Sequence, residues 1–92
     1  MPKESQLQSN CIKYLKEKDI YHVNVHGSGW TGKGTPDLLI CHKGKFVAVE
    51  LKVGNNDLQA DQIVRRNRIL KNGGQYCCPK SLEEFIKFME EL

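Results

Sequence analysis

From Lys3 to Asp19 the apolar residues Leu7, Cys11, Tyr14 and Leu15 return at intervals of three and four, with Lys13, Lys16, Glu17 and Lys18 between them. That is the pattern of a helix with one covered face. Tyr21, Val23 and Val25 then alternate with His22, Asn24 and His26, the period of two expected of a strand buried on one side. Four glycines in the eight residues Gly27 to Gly34 exclude the interior of a regular element, and Thr35-Pro36 closes this loop by pushing Thr35 toward extended backbone. Asp37 to His42 and Phe46 to Val53 are apolar runs joined by Lys43-Gly44-Lys45, which predicts an antiparallel hairpin. Gly54-Asn55-Asn56 ends the second run. Asn56 or Asp57 then caps a helix that runs to Lys71 and stops at Asn72-Gly73-Gly74. A short strand over Gln75 to Cys78 ends at Pro79. Ser81, with Glu84 three residues on, forms a capping box for a last helix whose stripe is Leu82, Phe85, Ile86 and Met89. The predicted order is α-β-β-β-α-β-α, an α/β class.

A chain of 92 residues accommodates one domain over 1–92, and so short a chain buries a modest share of its surface, which makes a homodimer a natural supplement. There is no apolar run of ~18 residues to cross a membrane and no basic-then-apolar leader, so the expected address is the cytoplasm. Fourteen Lys and Arg against eleven Asp and Glu leave a net charge of +3, which suits a polyanionic partner. Cys11, Cys41, Cys77 and Cys78 show neither C-x-x-C nor zinc-ligand spacing, so reduced thiols are expected. Gly27 to Lys33 matches the start of the phosphate-cradling G-x-x-x-x-G-K loop. Gly34, however, stands where a hydroxyl residue is needed, and a β-rich run follows in place of a helix, so nucleotide hydrolysis is set aside.

The informative residues are Asp37, Glu50 and Lys52, three charges at the ends of two strongly apolar strands. With Lys43-Gly44 as a two-residue turn, His42 faces Lys45, Cys41 faces Phe46, Leu39 faces Ala48, and Asp37 falls opposite Glu50. Glu50 and Lys52 are two apart and share a strand face, so the three charges gather at one end of the hairpin. Carboxylates that close repel unless a cation lies between them or one keeps its proton. A hard divalent ion such as Mg²⁺ fits such a pair, and a neighbouring Lys suits water activation; a salt bridge from Lys52 to one acid is the competing reading. On a helical wheel Glu4 falls on the covered stripe with Cys11 and Leu15, while Gln62 and Arg66 fall in the arc of Leu58, Ile63, Ile69 and Leu70. Glu4 is alternatively a solvent-facing residue of the first turn, and Gln62 a hydrogen-bonding support without a catalytic part.

Together, Gly34-Thr35-Pro36-Asp37, an apolar strand, Glu50-Leu51-Lys52, a helical Gln62 and an N-terminal helix bearing Glu4 resemble the PD-(D/E)xK nuclease superfamily, and within it the VRR-NUC, or virus-type replication-repair nuclease, branch. The resemblance covers nearly the whole chain. It implies a restriction-endonuclease-like α-β-β-β-α-β core with a C-terminal helix, and a Mg²⁺- or Mn²⁺-dependent endonuclease acting on DNA. Asp37, Glu50, the Leu51 carbonyl and Glu4 would hold the metal, Lys52 would position the attacking water, and Gln62 would support the site. By the same analogy, the substrate is branched DNA such as flaps or four-way (Holliday) junctions, the assembly is a homodimer, the pathway is DNA repair, and the address is the host cytoplasm if the source is viral. Lys33, Arg65 and Arg66 are candidate phosphate contacts and Trp30 a candidate base-stacking residue. A DNA-binding module of the same fold without turnover is the rival reading.

Overall fold

The computed structural model describes residues 4–25 and 34–92. The glycine-rich loop, with Trp30 and Lys33, lies outside the described residues. The elements are α1 (Glu4–Glu17), β1 (Tyr21–Asn24), β2 (Leu38–His42), β3 (Lys45–Val49), α2 (Ala60–Lys71), β4 (Gln75–Cys77) and α3 (Leu82–Glu90). One sheet runs in the order β1-β2-β3-β4, antiparallel except for the parallel pairing of β4 with β3.

Helix α1 buries Leu7, Cys11 and Leu15, the stripe read from its spacing. It ends in a Schellman motif: Asp19 takes φ 55°, its N–H donates to the Lys16 carbonyl, and the Ile20 N–H reaches back to that of Leu15 at 2.9 Å. Leu15 and Ile20 join the core with Leu38, Ile40, Val47 and Val49 from one sheet face and Phe85 and Met89 from α3. The Ser81 Oγ caps α3 by accepting from the Glu84 N–H at 3.2 Å. Tyr14 meets Phe85 edge-on across the two helices, with ring centroids 5.9 Å apart.

The hairpin register is the one its turn dictates. Lys43 and Gly44 take φ 53° and 77°, the two positive values of a type I′ turn, and His42 pairs with Lys45, Cys41 with Phe46 and Leu39 with Ala48. The second strand is shorter than its apolar run, ending at Val49 instead of Val53. Pro36 has no N–H to extend the ladder, and the Leu51 N–H donates instead to the Asp37 side chain, Oδ2, at 2.9 Å. On the far side the Glu50 N–H still donates to the Cys77 carbonyl at 2.9 Å, which keeps the segment extended beside β4.

Helix α2 differs from expectation in two ways. It begins at Ala60, because the Asn56 N–H closes a turn onto the Val53 carbonyl and Gln59 becomes the cap. Its inward face is Gln62, Arg65, Arg66 and Ile69, all half-buried, whereas Ile63, Val64 and Leu70 are exposed. The surface beneath carries the carboxyl and phenol groups of the site as well as apolar side chains, so a polar stripe is the one it accommodates. The helix ends in a second Schellman motif, with Gly73 at φ 89° and the Gly74 N–H donating to the Ile69 carbonyl at 2.9 Å.

Candidate metal centre

Asp37 lies just before β2 and Glu50 just after β3, so the antiparallel ladder that pairs Leu38 with Val49 delivers both to one end of the hairpin. Glu4, in the first turn of α1, reaches the same place. One carboxylate oxygen from each of Glu4, Asp37 and Glu50 lies within 4.8 Å of the other two. Their exposure is graded: Glu4 faces solvent, Asp37 is half-buried and Glu50 is 3% exposed. The structure therefore brings together the three carboxylates singled out in the sequence.

Glu50 carries the electrostatic load. Burial pushes its carboxyl from 4.5 up to about 8. A hydrogen bond with Asp37 and that residue's charge add to the effect, Lys52 opposes it, and Glu4 contributes weakly in the same direction as Asp37. Its Oε1 is buried and accepts no hydrogen bond among the described residues. A buried carboxylate oxygen without a donor is costly, and a cation bound between these acids supplies the missing partner. Three hard oxygen donors with an open, solvent-facing side fit a hard divalent cation.

Asp37 Oδ2 is tied to the Leu51 N–H, which fixes the carboxylate and orients the Leu51 peptide. Lys52 is half-buried, and its charge is felt by Glu50 and by the Cys78 thiol. Among the described residues it forms no ion pair with either acid, so the salt-bridge reading of the triplet is not what the structure contains. Gln62 lies on the inward face of α2, but its Oε1 accepts from the Gln59 N–H at 2.7 Å, as part of the helix cap. Arg66 holds the Asn67 Oδ1 through Nε and Nη2 at 3.3 and 3.2 Å, and its charge is felt at Tyr76. Arg65 instead lines a groove farther along the same helix.

Tyr76 is the residue that sequence reasoning missed. Its hydroxyl is buried without a hydrogen-bond partner among the described residues; burial raises its pKa most, followed by the electrostatic influence of Glu50 and Cys78. Parallel pairing puts Tyr76 beside Ala48, two residues before Glu50 and on the same sheet face. Only that long-range pairing reveals the neighbourhood, and nothing local in Gln75 to Cys78 signals it. Cys11 and Cys77 are free buried thiols, each pushed up to about 12 by burial.

No family model matches the chain, and neither does any curated protein. Among solved structures, one described as "VRR_NUC domain" superposes with a TM-score of 0.81 at 23% identity, over 98% of this chain and 97% of that one. The chain therefore has the fold of that VRR_NUC domain, an α/β arrangement built on one four-stranded mixed sheet.

Proposed function

We propose that the chain is a divalent-metal-dependent deoxyribonuclease, a single cytoplasmic domain that hydrolyses phosphodiester bonds in branched DNA such as flaps or four-way junctions. The observation that carries this reading is the convergence of Glu4, Asp37 and Glu50, with the buried Oε1 of Glu50 lacking a donor and Lys52 beside it. Mg²⁺ or Mn²⁺ held by these carboxylates and the Leu51 carbonyl would supply Lewis acidity toward a phosphoryl oxygen and a readily deprotonated water. The Asp37 bond to the Leu51 amide keeps one carboxylate oxygen fixed and leaves the other for the ion. Lys52 holds the attacking water and offsets the charge that grows on the phosphate oxygens. The unpartnered Tyr76 hydroxyl is available as a hydrogen-bond donor to the loaded cluster, and Gln62, which caps the start of α2, supports the site from the neighbouring helix.

The test is incubation of the purified protein with linear, flap and four-way-junction DNA in Mg²⁺, Mn²⁺ or EDTA. Metal-dependent cutting that falls by about 10²–10⁴-fold in Lys52→Ala, with DNA binding retained, is the expected result. Tight binding with no cutting in either metal would favour the non-catalytic module.

The homodimer belongs to the same proposal. Ile63, Val64 and Leu70 on α2 are three of the six large apolar side chains exposed among the described residues, and a second copy is one way to cover them. Two symmetry-related sites would suit the paired strands of a junction. Sedimentation at micromolar concentration checks this. A monomer would remove the junction preference and leave the hydrolysis untouched.

A further inference from the structure

Beside the acid cluster runs a groove of ≈ 660 Å³ that the reaction proposed above does not use. One end is Pro36, the residue before Asp37; the other is Gly44, in the hairpin turn. One wall is α2, which contributes Arg65, Arg68, Ile69 and Asn72, four positions on a single helical face. The other is the start of β3, with Lys45 and a Phe46 ring that is 47% exposed. Gly74 keeps the floor low, because a Cβ there would stand 3.2 Å from Phe46 Cδ1 and 2.8 Å from Ile69 Cγ2. Among the described residues, Lys45, Arg65 and Arg68 line the groove and no acid does.

We infer that this groove binds an unpaired strand of nucleic acid, with phosphates on Lys45 and Arg68 and a base against Phe46. This rests on the nuclease reading and names the strand class that enters beside its site. Charge complementarity selects an anion. The aromatic face within the same groove selects one with a free π-surface, and a base inside a duplex offers none, because its faces are already stacked. The volume lies within the ordinary range for a ligand site, about 300–1,000 Å³. Pro36, which lines the groove, precedes Asp37 in the chain, so a strand lying here would lead toward the carboxylates and would not be confined to an isolated nucleotide.

The experiment measures binding of a short fluorescein-labelled oligothymidylate and of a blunt duplex of equal length to the full chain in EDTA, so that neither metal nor cleavage enters. Phe46→Ala is expected to weaken oligothymidylate binding about tenfold while leaving duplex binding unchanged, and Phe46→Trp to restore it. Arg68→Ala is expected to lower the slope of log affinity against log salt by about 0.7, one phosphate contact on a single strand. A melting temperature kept within a few degrees of the parent separates lost contact from lost fold. Unchanged oligothymidylate affinity in both Phe46→Ala and Arg68→Ala would overturn the inference, even with metal-dependent cutting intact. Single-strand binding that responds to these variants in a protein that never cuts would support the groove and sink the nuclease reading instead.

Discussion

A buried acid that stays protonated to about pH 8 makes the metal-free protein sensitive to alkali. Between its unfolded pKa near 4.5 and its folded value, the native state holds a proton that the unfolded chain has released. Stability therefore falls as pH rises through that window and levels off above it. Thermal melts in EDTA should show a declining midpoint from about pH 4.5 to 8. Glu50→Gln, neutral throughout, should flatten the curve; an unchanged slope in that variant would assign the effect to another group. Tyr76→Phe removes one hydroxyl and no packing volume. If that hydroxyl serves the cluster, kcat falls by roughly ten- to a hundredfold with KM and melting temperature little changed, an effect of about 1.5–3 kcal/mol, the worth of a hydrogen bond to a charged group. A variant with parental kcat would leave Tyr76 a packing residue.

At the level of elements, the site is a product of register. The type I′ turn at Lys43-Gly44 sets which residues oppose one another, and one added residue there would send Asp37 and Glu50 to opposite faces. That part of the geometry was legible in the sequence, because a two-residue turn leaves a single register to choose. The face of α2 was legible in part. The wheel placed Gln62, Arg66 and Ile69 inward, as they are, but it also nominated Ile63 and Leu70, which are exposed, and passed over Arg65, because the surface beneath draws its polarity from strands distant in sequence. Tyr76 escaped for the same reason, since a three-residue strand carries no record of its parallel partner. Gly34 shows how closely α2 is seated: at φ 83°, a Cβ there would lie 2.5 Å from the Asp61 carbonyl oxygen. Gly34→Ala should lift the start of α2 and cost about 1–3 kcal/mol in denaturant titration, from strain and overpacking together. A parental midpoint would mean that the loop, and not the helix, absorbs the change.

For the whole molecule, fold and cation binding are linked through free energy. A divalent ion that binds only the native carboxylates should stabilise the protein by about 2.7 kcal/mol at a hundredfold excess over its Kd, which for a chain this size is a rise of roughly 10 °C or more in Tm. Mn²⁺ titrations followed by differential scanning calorimetry test this without any DNA. The rise should vanish in a Glu4→Gln, Glu50→Gln double variant, and persistence there would place the ion elsewhere. The core is a separate store of stability: Phe85 is fully buried, and Phe85→Ala should cost ~3–5 kcal/mol with or without the ion. The fold class and the order of elements along the chain follow from local patterning, whereas the place of β4 in the sheet and the convergence of Glu4 with the hairpin depend on long-range docking.

That docking divides labour along the first helix. Glu4 reaches the carboxylates from the opening turn, and Leu7, Cys11 and Leu15 behind it hold the helix to the sheet. Loss of the turn ahead of Leu7 would leave the hydrophobic anchors in place while stripping the cage of its solvent-facing wall. Shortening α1 by its opening turn is thus a way to detune ion capture in a protein that otherwise keeps its shape.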